Sequence, residues 1–261
     1  LQAGDRVNVS GLTFTSQQQI AKQLASPAEI HFASNVFFTT APRQLYNVWL
    51  NSCTNVHLYG GDLKQPNGSG FWMKDCQGCL WHDFYVHDCG GTGWLQTSVD
   101  RTSSNLSIFG ESTNNAQDFT LDNHQEAGSG LHAGYVGGFF QNVYWSENVR
   151  VGLYAHQQPG GAGLECGPYF RNSEVYVKGQ DLTFVAQIQT GGNAIQFYGA
   201  CQNIIAQTEC DNVARAVDLQ LWAEATSINV NHGRVSNYRK PDPYEDYPGT
   251  SQISYTDCTT S

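Results

Sequence analysis

The sequence predicts an all-β chain folded as a right-handed parallel β-helix, a solenoid of three-strand coils with a short N-terminal capping helix. Three observations carry this expectation: a recurring G-x-G-apolar element, an Asn-apolar element that follows it at a near-constant distance, and alternation of apolar residues within the strands between them. The first element reads Gly68-Ser69-Gly70-Phe71, Gly91-Thr92-Gly93-Trp94, Gly128-Ser129-Gly130-Leu131 and Gly161-Ala162-Gly163-Leu164, with Gly192-Asn193-Ala194-Ile195 as a degenerate copy. The second reads Asn55-Val56, Asn105-Leu106, Asn142-Val143, Asn203-Ile204 and Asn229-Val230, with Cys79-Leu80 and Asn172-Ser173 in the same register.

The two elements lie 11 or 14 residues apart in all five copies, and successive second elements are 24 to 37 residues apart. That is the length of a solenoid coil with three short strands, the longest interval marking an insertion. Within strands, Phe119 and Leu121, Leu153 and Ala155, and Val217, Leu219 and Leu221 alternate, so one face is buried and the other is wet. Asparagines at equivalent turns can stack into hydrogen-bonded ladders along the axis. A propeller or sandwich would need frequent Asn-Gly or Asp-Gly hairpin turns, and Asn67-Gly68 is the only one in the sequence. Ser16 with Gln19 reads as a capping box, and Ile20 with Leu24 gives one apolar face, so a helix is expected over 16–25. The expectation is a single domain over 1–261: a cap at 1–30, coils at 31–236 and a Pro- and Tyr-rich tail at 237–261.

Composition bounds the partners. Thirteen basic residues stand against 23 acidic ones, a net charge of −10, which gives little attraction for phosphate backbones or anionic lipid. Nucleic acid and membrane are therefore not expected as partners, and no apolar run approaches the roughly 20 residues that cross a bilayer. Eight cysteines, an even number, favour disulfides and a secreted, extracellular chain. The C-x2-C spacing of Cys76 and Cys79 suits zinc, but both fall inside the repeat, which explains them without a metal. Neither a metal nor another cofactor is expected.

By coil length, asparagine turns and the N-terminal helix, residues 30–235 resemble the pectate-lyase-like superfamily of parallel β-helix carbohydrate-active proteins. The likeness is architectural: the Gly-His-Gly and Arg-x-Lys pattern of polygalacturonases is absent, and so is a calcium-carboxylate and arginine set of pectate lyases. The resemblance implies a glycan as substrate or ligand, with non-enzymatic tailspikes, adhesins and ice-binding solenoids as exceptions.

Equal register in the repeat implies neighbours in space, about 4.8 Å apart. Leu131 and Leu164 should face inward, so His132, Glu165 and Gln196 form one outer ladder. In the neighbouring strand Thr120, Asp122 and His124 should face out. Aligning that strand with Arg150–His156 places Tyr154 beside Asp122 and His156 beside His124, with Glu126 at the edge. The candidate catalytic residues are Asp122, Glu165, His132, His124, Tyr154 and His156. The candidate substrate-binding residues are Glu126, Gln196, Trp72, Trp222 and Arg150, the two tryptophans reading as outward and marking the ends of a groove. Trp94 and Trp145 read as core. His82, Asp83, His87 and Asp88 form a second polar set.

A glycosidase needs a carboxylic acid and a carboxylate, for which Asp122 and Glu165 are the expected pair. A polysaccharide lyase would use Tyr154 and a histidine with a cation on the uronate. An acidic chain is a poor host for an acidic substrate, so cleavage of glycosidic bonds in a neutral polysaccharide or oligosaccharide leads. A non-catalytic glycan-binding solenoid, which would rely on the aromatic positions, is the other alternative.

Overall fold

A computed structural model of the chain describes residues 2, 4–15, 18–22, 24, 27–39, 46–64, 69–89, 93–115, 131–133, 144–157, 162–167, 169–182, 192–197, 200–219, 224–238 and 253–261. Every strand pairing among them is parallel, so the chain winds as a β-solenoid. Eight strands stack in one sheet: Gln18–Lys22, Tyr46–Asn51, Ser69–Lys74, Trp94–Thr97, Leu131–Ala133, Leu164–Cys166, Asn193–Phe197 and Arg215–Leu219. A 17-stranded sheet forms the rest of the wall and bends along its length into two faces. Its middle face holds Val56–Tyr59 and the equivalents in other coils, and its trailing face holds Asp62–Lys64 and its equivalents.

The G-x-G element starts the eight-stranded sheet, as expected: Phe71, Trp94, Leu131, Leu164 and Ile195 lie in one parallel row. The glycine before that row is a matter of space. A Cβ on Gly70 would lie 2.6 Å from the Gly93 carbonyl oxygen and 2.8 Å from Val86 Cγ1. One on Gly163 would lie 2.9 Å from the Ala194 carbonyl oxygen. Neighbouring backbone and core side chains leave no room for a side chain at the start of this sheet.

The second repeat element marks a corner. Asn55, Gly78, Asn105, Asn148, Asn172, Asn203 and Ser227 occupy equivalent positions and all have φ between 52° and 61°. Asparagine tolerates this left-handed conformation better than other side chains, which explains its recurrence. The structure corrects three expected corners: Gly78 takes the place given to Cys79, Asn148 that given to Asn142, and Ser227 that given to Asn229. The corner requires a backbone state, which glycine and serine also supply here, and an Asn-apolar pair elsewhere mimics it.

Inward positions build one continuous core along the axis, including Leu58, Phe71, Trp81, Ile108, Leu153, Val177, Phe197 and Ile204. Trp81 packs edge-on against Phe71 at 4.2 Å and donates its indole N–H to the Gly60 carbonyl at 2.7 Å. Each such side chain contributes about 1.5–3 kcal/mol by leaving water.

Three further expectations are corrected. Gln18–Lys22 is a strand paired with Tyr46–Asn51, so the capping box at Ser16 and Gln19 does not open a helix; pairing to the next coil overrides local helix signals. The stack also reaches beyond the expected coil limits, with Arg6–Val9 paired to Ala28–Phe32 and Ile253–Thr256 paired to Glu224–Asn231. All eight cysteines are free thiols, seven of them buried, so the expected disulfides are not formed. Small and apolar, they fill inward positions of the core. Cys53 lies against Cys76, whose hydrogen bond brings the Cys53 thiol down to about 7, while burial pushes Cys76 up.

Candidate functional site

Alternation along the eight-stranded sheet sets Trp49, Trp72, Glu165, Gln196 and Asp218 on its outer face. Backbone register joins them in one row with positions 95 and 132: Trp49, Trp72, Leu95, His132, Glu165, Gln196 and Asp218. The expected ladder of His132, Glu165 and Gln196 is thus a backbone register of the fold, and Asp218 extends it by one coil. Although the row faces outward, Trp72, Glu165 and Asp218 are only 5–6% exposed.

Asp218 is held on two sides. Arg215 Nη1 donates to its Oδ1 at 2.7 Å, and Asn193 Nδ2 donates to its Oδ2 at 3.0 Å. Asn193 also donates to Gln196 Oε1 at 3.3 Å. A buried carboxylate is tolerable only with such partners. Glu165 lies two strands from Asp218, with Gln196 between them, which places their backbone positions roughly 9–10 Å apart.

Trp72 is corrected as a groove end. Its ring is buried, packs against Trp49 at 5.5 Å and donates its indole N–H to Thr97 Oγ1 at 3.0 Å. Trp145, expected in the core, is half-buried instead, with the Arg171 guanidinium 4.7 Å over its ring. Asp122, His124, Glu126 and Trp222 lie outside the described residues.

Tyr154 and His156 stand on the trailing face, away from the Glu165 row. Their strand, Arg150–His156, pairs with Ser107–Thr113 on one side and with Phe170–Gln180 on the other. Tyr154 is therefore flanked by Glu111 and Lys178, and His156 by Thr113 and Gln180, which corrects the expected pairings with Asp122 and His124. The strand that pairs with Arg150–His156 is Ser107–Thr113, directly after the Asn105 corner, and not the alternating segment at Phe119 and Leu121. Arg150 lies on the middle face, where it pairs with Glu174 at 3.5 Å, both largely exposed.

The trailing face gathers a polar network from both sets of candidates. His156 Nε2 lies 2.7 Å from Glu111 Oε1, and Tyr154 donates its hydroxyl to Gln180 Oε1 at 2.8 Å, with the Lys178 ammonium 5.2 Å over the Tyr154 ring. Two coils earlier, His87 bridges Asp62 and Asp88, each at 2.9 Å, and Lys64 pairs with Asp88 at 2.6 Å. Tyr85 stacks on His87 at 4.6 Å as Tyr154 stacks on His156 at 4.5 Å.

The Asp62 hydrogen bond holds His87 above the usual histidine range against the opposing effect of burial. Burial alone would raise Asp88, but hydrogen bonds from Lys64, Asn114 and His87 bring it down to about 2. Burial and the carboxylates of Glu111, Asp62 and Asp88 push the Tyr85 hydroxyl up. Further along this face a shallow cavity of about 270 Å³ is lined by Lys178, Gln180, Glu209, Asp211, Arg234 and Ser236 among others.

Sequence reasoning missed Asp218, Arg215 and Asn193 in the buried row, and Glu111 and Lys178 on the trailing face. A signal for Asp218 was present: it is the one charged residue between the inward Val217 and Leu219, in step with the ladder from His132.

Parallel strands, corner row and continuous core define the chain as a β-solenoid. No family model matches the sequence, and no curated protein matches it. Two solved structures of PfbA, a surface adhesin of Streptococcus pneumoniae, are similar in shape. One superposes with a TM-score of 0.47 at 6% identity, covering 98% of this chain and 84% of that one. The other gives 0.38 at 7% identity, covering 98% and 90%. Likeness at this level carries nothing about activity.

Proposed function

We propose that the chain is an extracellular carbohydrate-active enzyme of the pectate-lyase-like kind that cleaves glycosidic bonds of a neutral polysaccharide, with Glu165 and Asp218 as its carboxyl pair. The observation that carries this reading is the buried outer row in which these two carboxyl groups flank Gln196. Glycoside hydrolysis requires one carboxyl group to protonate the leaving oxygen and another to act as nucleophile or to activate water. Two strand spacings between them are of the order of the wider separation, about 6.5–9.5 Å, at which a water fits and configuration inverts. Arg215 and Asn193 fix the orientation of Asp218, which suits it to the base role, and Glu165 takes the role of acid. Exclusion of solvent strengthens each of these interactions. The chain's net negative charge favours a neutral substrate.

A lyase reading has one observation of its own, the Lys178 ammonium over the Tyr154 ring, which sets a cation beside a Tyr–His pair. The two readings separate on a panel of neutral and uronate-containing polysaccharides. New reducing ends without ultraviolet absorbance of an unsaturated uronate support hydrolysis. Appearance of that absorbance replaces it with the lyase reading, and no product from any glycan refutes both.

A further inference from the structure

The middle face carries an outward row of four rings in contact, with a fifth ring two coils further on. Backbone register joins His31, Tyr59, His82 and Phe109, then Gly152, then Tyr176, one position per coil. His31 stacks on Tyr59 at 4.5 Å and 10°, Tyr59 meets His82 edge-on at 6.1 Å, and His82 meets Phe109 edge-on at 4.8 Å. Gly152 is part of the same construction. A Cβ there would lie 2.3 Å from Phe109 Cδ1, so only glycine lets the Phe109 ring lie over the next coil and continue the row toward Tyr176. Phe109 and Tyr176 remain 38% and 39% exposed. Outward aromatic side chains on successive coils cost solvation and need a reason.

Two ion pairs flank the row, Arg6 with Glu29 at 3.4 Å and Arg150 with Glu174 at 3.5 Å, and Tyr176 donates its hydroxyl to Glu209 Oε2 at 3.3 Å. Burial holds His82 below the usual histidine range, and its Nε2 bonds Ser107 Oγ at 2.9 Å.

We propose that this row is a docking track for an uncharged, extended polysaccharide chain lying along the solenoid axis. Ring edges spaced by about 4.8 Å advance at nearly the step of one pyranose unit, so successive sugars meet the outward edges of successive rings through their C–H faces. Five steps give a track of roughly 24 Å. An uncharged polymer fits a row of rings bordered by carboxylates such as Glu209, whereas a polyanion would be repelled there and by a chain of net charge −10. The track is on a different face from the Glu165–Asp218 row and does not depend on bond cleavage: it holds a polymer whether or not one is cut.

Affinity electrophoresis of the full chain tests it, in native gels containing soluble β-glucan, galactomannan or arabinoxylan, with polygalacturonate as the charged control. At least one neutral polysaccharide should retard the protein. The Phe109→Ala/Tyr176→Ala double variant should bind about tenfold more weakly, the size of two lost stacking contacts. Tyr176→Ala alone, at a half-exposed position, should show part of that loss with unchanged thermal unfolding, and Phe109→Trp should retain binding. Asp218→Asn should be retarded like wild type, so loss of turnover and loss of docking are read separately. The proposal is overturned if no neutral polysaccharide retards the protein, if only polygalacturonate does, or if Tyr176→Ala and the folded double variant bind as wild type. Sedimentation as a dimer that Tyr176→Ala dissociates would equally overturn it, because the row would then join two copies.

Discussion

The outer row of the eight-stranded sheet and the outer rows of the trailing face use similar residue types under opposite conditions. Glu165 and Asp218 are nearly sealed from water, and Asp218 is fixed by an arginine and an asparagine. On the trailing face, Asp62, Asp88 and Glu111 share histidine and lysine partners while a quarter or more of each side chain stays open to solvent. The difference teaches that a carboxylate on the outside of a solenoid does not reveal its energetics by register alone. Burial decides whether its partners are worth several kcal/mol or less than one.

Turnover is where the two regions should differ most. Glu165→Gln and Asp218→Asn should each lower kcat on a cleaved polysaccharide by about 10²-fold or more, as loss of an acid or base does. Tyr154→Phe should change it by less than either. Equal turnover in both carboxyl variants would remove the buried row from the chemistry, and a collapse in Tyr154→Phe would move the chemistry to the trailing face.

Stability gives the next contrast. Arg215→Ala removes the 2.7 Å ion pair to the buried Asp218 carboxylate and should cost about 3 kcal/mol in chemical denaturation. Lys64→Ala breaks a 2.6 Å pair with Asp88, but in partial solvent, and should cost at most about 1 kcal/mol. Similar losses for the two would erase the distinction drawn from burial.

A smaller effect sharpens the trailing face itself. His87 is raised above its ordinary 6.5, so its bonds to Asp62 and Asp88 stabilise fully below that value and fade as pH rises through the raised one. Asp88 is lowered from 3.8 to about 2, so its contribution is present above 3.8 and is lost as pH falls through about 2. The difference in melting temperature between wild type and His87→Gln should therefore be greatest between about 4 and 6.5 and shrink in alkali. A pH-independent difference would assign the loss to packing.

The eight-stranded sheet was legible because its glycines answer a steric demand that leaves a mark in sequence: Gly70 and Gly163 each face neighbouring backbone too closely for a Cβ. That register carried His132, Glu165 and Gln196 into one row. Corners were less legible, because Gly78 and Ser227 meet the same backbone requirement as asparagine. Tyr154 and His156 have other neighbours than expected because Phe119 and Leu121 alternate like Leu153 and Ala155, while the strand that pairs is Ser107–Thr113. Asp218 escaped notice because its coil lacks the paired glycines, and burial of Trp72 depends on packing over the outer face, which alternation does not encode.

Corner positions recur at 55, 78, 105, 148, 172, 203 and 227, yet the chain between successive corners varies from 23 to 43 residues. Even across the longest of these arcs, Ser107–Thr113 and Arg150–His156 keep a seven-residue parallel register. Each coil thus has fixed vertices and adjustable arcs, and lengthening an arc costs only about 0.6 kcal/mol per doubling of a flexible loop. Such a scaffold can carry foreign segments as cargo between its corners, with the stacked strands fixing how far apart successive inserts are displayed.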